Sequence, residues 1–215
     1  MTTLDIDHGF GLLDVRFDGD EGTAQLEASG AIAERMTLER DGKRLVVGTK
    51  DNGPSFGGWS WLFGTEDEQW ATLTLPPSLE GVDLDLDSGA GSVTVDGALG
   101  DVDIETGAGE VRLSGSADAV TAEVGAGQAV FDLRDVETFS ADVSAGALFV
   151  TLTGEAPSEL ALDISAGGGD VVLPDEAYAL NQEVSAGELD ASGLRIDSTS
   201  THRIDVRLTA GGVTL

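Results

Sequence analysis

Six carboxylates, Asp87, Glu105, Glu123, Asp142, Asp163 and Glu183, each stand three residues before the alanine of an Ala-Gly pair, and Arg207 holds that place before the last pair. Oxygen ligands at a regular spacing are what Ca²⁺ and Mg²⁺ take. If the chain stacks these positions at the interstrand distance of about 4.8 Å, neighbouring charges repel by roughly 1 kcal/mol per pair in bulk water and by several where partly shielded. Two offsets are open: a divalent cation held along the ladder, or salt screening with side chains splayed into water. The second is favoured, because a charge run is usually a solvated face that keeps strand edges from aggregating. The Gly-Gly-x-Gly-x-Asp repeat that builds calcium sites in β-rolls is absent. No cofactor is therefore expected, with Ca²⁺ as the one candidate.

Other chemistry has few carriers. With no Cys, thiolate catalysis and disulfides are excluded. Of the two histidines, His8 falls at an inward position that Ser88 and Thr106 occupy in other repeats, and reads as a core or end-cap residue. His202 lies in the polar stretch Ser198 to Arg203 and reads as exposed. The Gly-Ala-Gly runs are followed by no Lys-Ser/Thr and open no helix, so they are not phosphate loops. Carboxylate pairs are too frequent to specify glycosidase chemistry. The chain reads as no enzyme. The binding candidates are Trp59, Trp61, Phe63 and Trp70, an aromatic cluster in and beside a glycine-rich stretch, which either packs against the first repeat or contacts a partner. Val130 and Phe149 fall one position off the inward template, and either share an outer face or turn inward at a bulge.

The elements that must position these residues follow from the repeat. Ala-Gly pairs recur at Ala90, Ala108, Ala126, Ala145, Ala166, Ala186 and Ala210. Three and five residues after the alanine come mostly apolar residues such as Val93 and Val95 or Val111 and Leu113, with Gly169 after Ala166. Four and six before come Leu86 and Leu84 or Ile104 and Val102. Steps of two are strand periodicity. Two short strands and two turns in about 20 residues leave no room for a crossover helix, which needs a dozen or more residues between parallel strands. The chain is therefore read as all-β, a parallel β-solenoid (β-helix) of about seven two-strand coils. A β-sandwich of hairpins is the competing reading, but it gives no reason for one dipeptide to return at one phase.

Two regions are expected, 1–80 and 81–215. In the first, Leu4 to Val15 reads as a degenerate coil with Phe10-Gly11 in place of Ala-Gly. Asp41-Gly42 between Met36 to Arg40 and Lys43 to Val47 reads as an antiparallel hairpin, and the strand from Gln69 to Leu75 stops at Pro76-Pro77. The second region holds the repeats. It ends at Leu215 in mid-template, so the last coil reads as uncapped and open to another strand.

The segment Leu84 to Gly97, LDLDSGAGSVTVDG, followed by Ile104 to Leu113, IETGAGEVRL, resembles the bacterial β-strand-repeat family of putative adhesins and the related head domains of autotransporter adhesins. The likeness covers most of the chain and is best over 73–215. It implies a β-solenoid and a cell-envelope or adhesion setting, with no defined biochemical activity.

Charge narrows the partners. The net charge is −29, from 11 Lys and Arg against 40 Asp and Glu. Phosphate backbones require the opposite balance, which excludes nucleic acid, and anionic bilayers are disfavoured for the same reason. No apolar run is long enough to span a membrane, and no basic-then-apolar leader is visible, so a cytoplasmic location is expected from the residues and an envelope one from the resemblance. The reading is a noncatalytic binding or adhesin-like module with a rigid acidic surface and a protein or cell-envelope ligand. The alternative is a bactofilin-like scaffold that stacks end to end, and a cation-binding repeat protein ranks below both.

Overall fold

Alternation of apolar and polar residues produces strands almost throughout. The computed structural model describes residues 2–33, 35–49 and 69–215. In chain order its strands are β1 (Thr3–His8), β2 (Leu12–Arg16), β3 (Gln25–Ala28), β4 (Met36–Asp41), β5 (Arg44–Thr49), β6 (Trp70–Thr74), β7 (Val82–Ser116), β8 (Ala119–Arg134), β9 (Thr138–Thr153), β10 (Glu159–Val172), β11 (Ala177–Asp190), β12 (Arg195–Ile196) and β13 (Arg203–Thr214). Among the described residues the only helical elements are two short 3-10 turns, Gly30–Ile32 and Pro77–Leu79. The strands form a large, mostly parallel sheet that does not close on itself.

Register follows the repeat. Val102 pairs with Val120, Ala108 with Ala126 and Leu113 with Phe131 where β7 meets β8. Ala126 then pairs with Ala145, and Ala145 with Ala166. Like positions thus stack on like, the arrangement a β-solenoid requires. The template residues Val93, Val95, Ile104, Val111, Leu113, Phe131, Phe139, Leu148 and Val150 are buried and line one continuous core. Phe131 and Phe139 meet edge to face, with centroids 5.2 Å apart, which adds about 1 kcal/mol to their burial.

Gly109 shows why the pair recurs. Its φ is +137°, and a Cβ there would overlap the Gly91 carbonyl oxygen and lie 2.8 Å from the Gly91 nitrogen. Gly127 stands in the same relation to Gly109. Only a residue without a side chain fits the bend in successive layers.

Spatial order departs from chain order at both ends. β1 and β2 form a layer with Gly11 at its bend, as the degenerate coil predicts, but the layer lies inside the stack. Leu4 pairs with Leu84 on one side and Leu45 on the other, and Val15 pairs with Val95 and Leu73. β13 is likewise inserted between β10 and β11, with Val206 opposite Leu162 and Gln182, and Gly211 opposite Gly167 and Gly187. The expectation of an uncapped C-terminal coil is corrected: β13 is hydrogen-bonded along both edges. The inward residues of β13, Ile204, Val206, Leu208 and Val213, are all apolar and all buried. Those of β11 include Gln182, which is exposed, so β11 is the better terminal layer.

The hairpin at Asp41-Gly42 is present, running from Met36 opposite Thr49 to Asp41 opposite Arg44, with Gly42 at φ +60°. The region is not purely antiparallel, however. β5 and β6 pair in parallel with β1 and β2 and complete another layer, which β4 and β3 close with antiparallel edges. Strands from 1–80 and from 81–215 share this sheet.

Candidate binding surface

The expected ladder is built by register. Glu105 lies beside Glu123, Glu123 beside Asp142, and Asp142 beside Asp163, on successive parallel strands. Asp87 lies beside Asp7 on β1. Glu183 does not follow Asp163 directly, because the inserted β13 places Arg207 between them. Its guanidinium lies 2.9 Å from Asp163 Oδ2 and 3.5 Å from Glu183 Oε2. The hydrogen bond to Asp163, then the charge of both carboxylates, holds Arg207 more firmly protonated than usual. Among the described residues no three carboxylates or histidines converge on one point where an ion would fit. Side chains that leave a flat sheet in parallel stand in a row; they do not form a cage.

A broader acidic face surrounds the ladder. Asp83, Asp85 and Asp87 alternate outward along the first turn of β7, and Asp101, Asp103 and Glu105 along the second, all exposed. Asp5 pairs with Asp85 on the adjoining strand. Arg44 of β5 reaches two of these groups, Asp5 and Asp85, each at 3.5 Å. The Asp101 backbone N–H donates to Asp83 Oδ1 at 3.2 Å, tying successive turns together. Reading the ladder as one column missed the grid, although the Val-Asp-Leu-Asp-Leu-Asp alternation at Val82 to Asp87 carries its signal. Farther along, Thr121, Ser140 and Ala161 take the place of Asp103 before Asp205 of β13 restores a carboxylate to the column.

Of the aromatic cluster, Trp59, Trp61 and Phe63 lie outside the described residues. Trp70 opens β6 opposite Leu12, and the two are 38% and 53% exposed, an apolar pair open to solvent. Val130 and Phe149 sit side by side on an outer face, with Phe149 exposed and no bulge turning it inward. Beside Phe149 is an open depression of about 440 Å³, whose lining includes Gly168, Gly212, Glu188 and Asp190. Hydrogen bonds from Ser192 hold the Asp190 carboxyl below the usual carboxylate range.

Both histidines are occupied by the fold. His8 is buried in the column of Ser88, as its spacing predicts, and its Nε2–H donates to Gly11 O at 3.2 Å. Burial pushes its pKa below 6.5 against the weaker opposing effects of that bond and of Asp7. His202 is not freely exposed: Nδ1–H donates to Pro157 O at 2.9 Å, and the ring meets Tyr178 edge to face at 6.0 Å. The insertion of β13 brings it there. Tyr178 is fully buried, donates to Pro174 O at 2.9 Å, and has its pKa raised to about 12 by desolvation first and then by Glu176 and Asp175.

No family model and no curated protein matches the chain. Among solved structures it is similar to a putative adhesin from Bacteroides fragilis NCTC 9343, with a TM-score of 0.52 and 13% identity over 99% of this chain and 91% of that one. It is also similar to a putative cell adhesion protein from Clostridium sporogenes ATCC 15579, with a TM-score of 0.42 and 15% identity over 99% of this chain and 91% of that one. At these identities, what the chain and the Bacteroides protein share is the fold.

Proposed function

We propose that the chain is a noncatalytic, adhesin-like binding module that presents a rigid acidic face to a protein or cell-envelope ligand. The observation that carries this reading is the grid of Asp83, Asp85, Asp87, Asp101, Asp103 and Glu105 on one sheet face. Carboxylates fixed at strand spacing lose little backbone freedom on binding, so a cationic ligand meets a pre-organised surface. The fold shared with a protein named as a putative adhesin supports the same reading and an envelope setting. No described helix is long and apolar enough to cross a membrane. The noncatalytic part rests on His8 and His202, each committed to a backbone carbonyl of the fold.

The test is binding of the immobilised chain to polylysine and to isolated cell-wall material, repeated with an Asp85→Asn, Asp103→Asn, Glu105→Gln variant. Neutralising the three groups is expected to weaken retention about tenfold or more at low salt and much less at high salt. Unchanged retention would remove the acidic face from the account. End-to-end self-association is the second reading, favoured by the outer edge of β11, which no described strand covers over Ala179 to Asp190. A charge of −29 on each copy opposes it, so light scattering would find assemblies that grow with salt.

A further inference from the structure

Among the described residues, β11 is the open end of the stack. Its inner edge pairs with β13 from Ala179 to Asp190, while on its outer edge β12 covers only Ala177 and Tyr178. The opposite end differs, since β3 and β4 close it with antiparallel strands. The Ala179 N–H donates to His202 O and the Asp190 carbonyl accepts from Leu215 N–H, both on the β13 side. Counting from Ala179, ahead of the bend at Ala186-Gly187 that shifts the alternation, the N–H and C=O groups of Leu180, Gln182 and Val184 face outward, a parallel edge that no described strand pairs with.

The surroundings of that edge are acidic and partly apolar. Asp175, Glu176, Glu183, Glu188 and Asp190 lie on or beside β11, against Arg195 and Arg207, which already pair with Asp175, Glu176, Glu183 and Asp163. Among the described residues no cation pairs with Glu188 or Asp190. Val184 is 38% exposed at an inward position of this last layer. We infer that the outer edge of β11 accepts an extended, lysine- or arginine-rich segment of a partner protein as an added strand. Main-chain hydrogen bonds would supply the attachment, Val184 a contact for alternate apolar side chains, and Glu188 and Asp190 the preference for positive charge. A second copy of the chain is the poorer occupant, because it brings the same net charge. The edge is a different surface from the acidic face of β7, so either assignment can fail while the other stands.

The test uses a capped peptide of alternating Lys and Val, its Glu-Val counterpart, and a Lys-Val peptide N-methylated on alternate residues so that it cannot form the ladder. Binding to the full chain is followed by fluorescence anisotropy. The Lys-Val peptide is expected to bind, and N-methylation to cost about tenfold or more, since several hydrogen bonds of about 1 kcal/mol are lost. Gln182→Pro, which removes an outward N–H and leaves the β13 pairing intact, and Glu188→Lys should each weaken binding while the circular dichroism spectrum stays unchanged. Because the N-methylated peptide alters only the ligand, it decides the matter even if a variant misfolds. Equal binding of the N-methylated and plain peptides would overturn strand addition, equal binding of the Glu-Val peptide would overturn the charge preference, and dimers abolished by Gln182→Pro would assign the edge to a second copy.

Discussion

Replacing Gly109 with alanine tests the physical basis of the stack. Its φ of +137°, outside the left-handed helical well, alone costs an alanine about 2 kcal/mol. The larger effect comes from the neighbouring layer, because the new Cβ would overlap the Gly91 carbonyl oxygen and lie 2.8 Å from the Gly91 nitrogen and 3.1 Å from the carbonyl carbon. Backbone cannot rotate out of the way as a side chain would. The two layers must part locally, and losing two or three ladder hydrogen bonds at about 1 kcal/mol each brings the expected total to about 4–5 kcal/mol. Gly42→Ala is the internal control: φ there is +60°, and nothing lies within 4 Å of an added Cβ, so it reports the dihedral cost alone, about 1–2 kcal/mol. Urea unfolding followed by far-ultraviolet circular dichroism gives both differences from the shift in midpoint. If Gly109→Ala loses no more stability than Gly42→Ala, the close-approach argument for the Ala-Gly repeat is wrong.

Four further outcomes are expected. His8 has a folded pKa below its ordinary 6.5, so the unfolded chain takes up the proton first. Its contribution is complete above pH 6.5 and is lost as pH falls through the folded value, so a His8→Gln variant, which lacks that titrating group, should show a flatter urea midpoint between pH 7.5 and 5 than the parent. The single tyrosine, Tyr178, should ionise near pH 12 in an ultraviolet titration of the folded chain, and onset near 10 would contradict its burial. Arg207→Ala, which sets Asp163 and Glu183 free of their shared cation, should lower the melting temperature at low salt and have little effect at high salt. Added Ca²⁺ should raise the melting temperature only as far as NaCl of equal ionic strength does, because the ladder carboxylates stand in a row; a clear excess would assign a cation site to Asp87, Glu105, Glu123, Asp142, Asp163 and Glu183.

Much of the surface is legible from the sequence because strand periodicity decides which side chains share a face. The ladder from Glu105 to Asp163 and the inward place of His8 follow from counting residues relative to Ala-Gly, whereas for Val130 and Phe149 counting left an outer face and an inward bulge both open, and the register chose the outer face. The acidic grid was equally visible in the alternation around Asp83 and Asp101. What counting does not supply is the set of neighbours in space. Arg207 between Asp163 and Glu183, His202 against Tyr178, and the open edge on β11 all depend on where β13 inserts.

The sequence by itself determined the individual layer: two strands with one apolar face, and a bend that only glycine tolerates. Both are local properties, set by side chains two apart and by the absence of a Cβ. Only the tertiary structure decided the order of the layers. Repeats of one template have interchangeable registers, so local pattern cannot say which lies beside which. The choice falls to the cost of leaving a given inward row in water, and that cost is lower for β11, with Gln182 in the row, than for β13, whose row is apolar throughout.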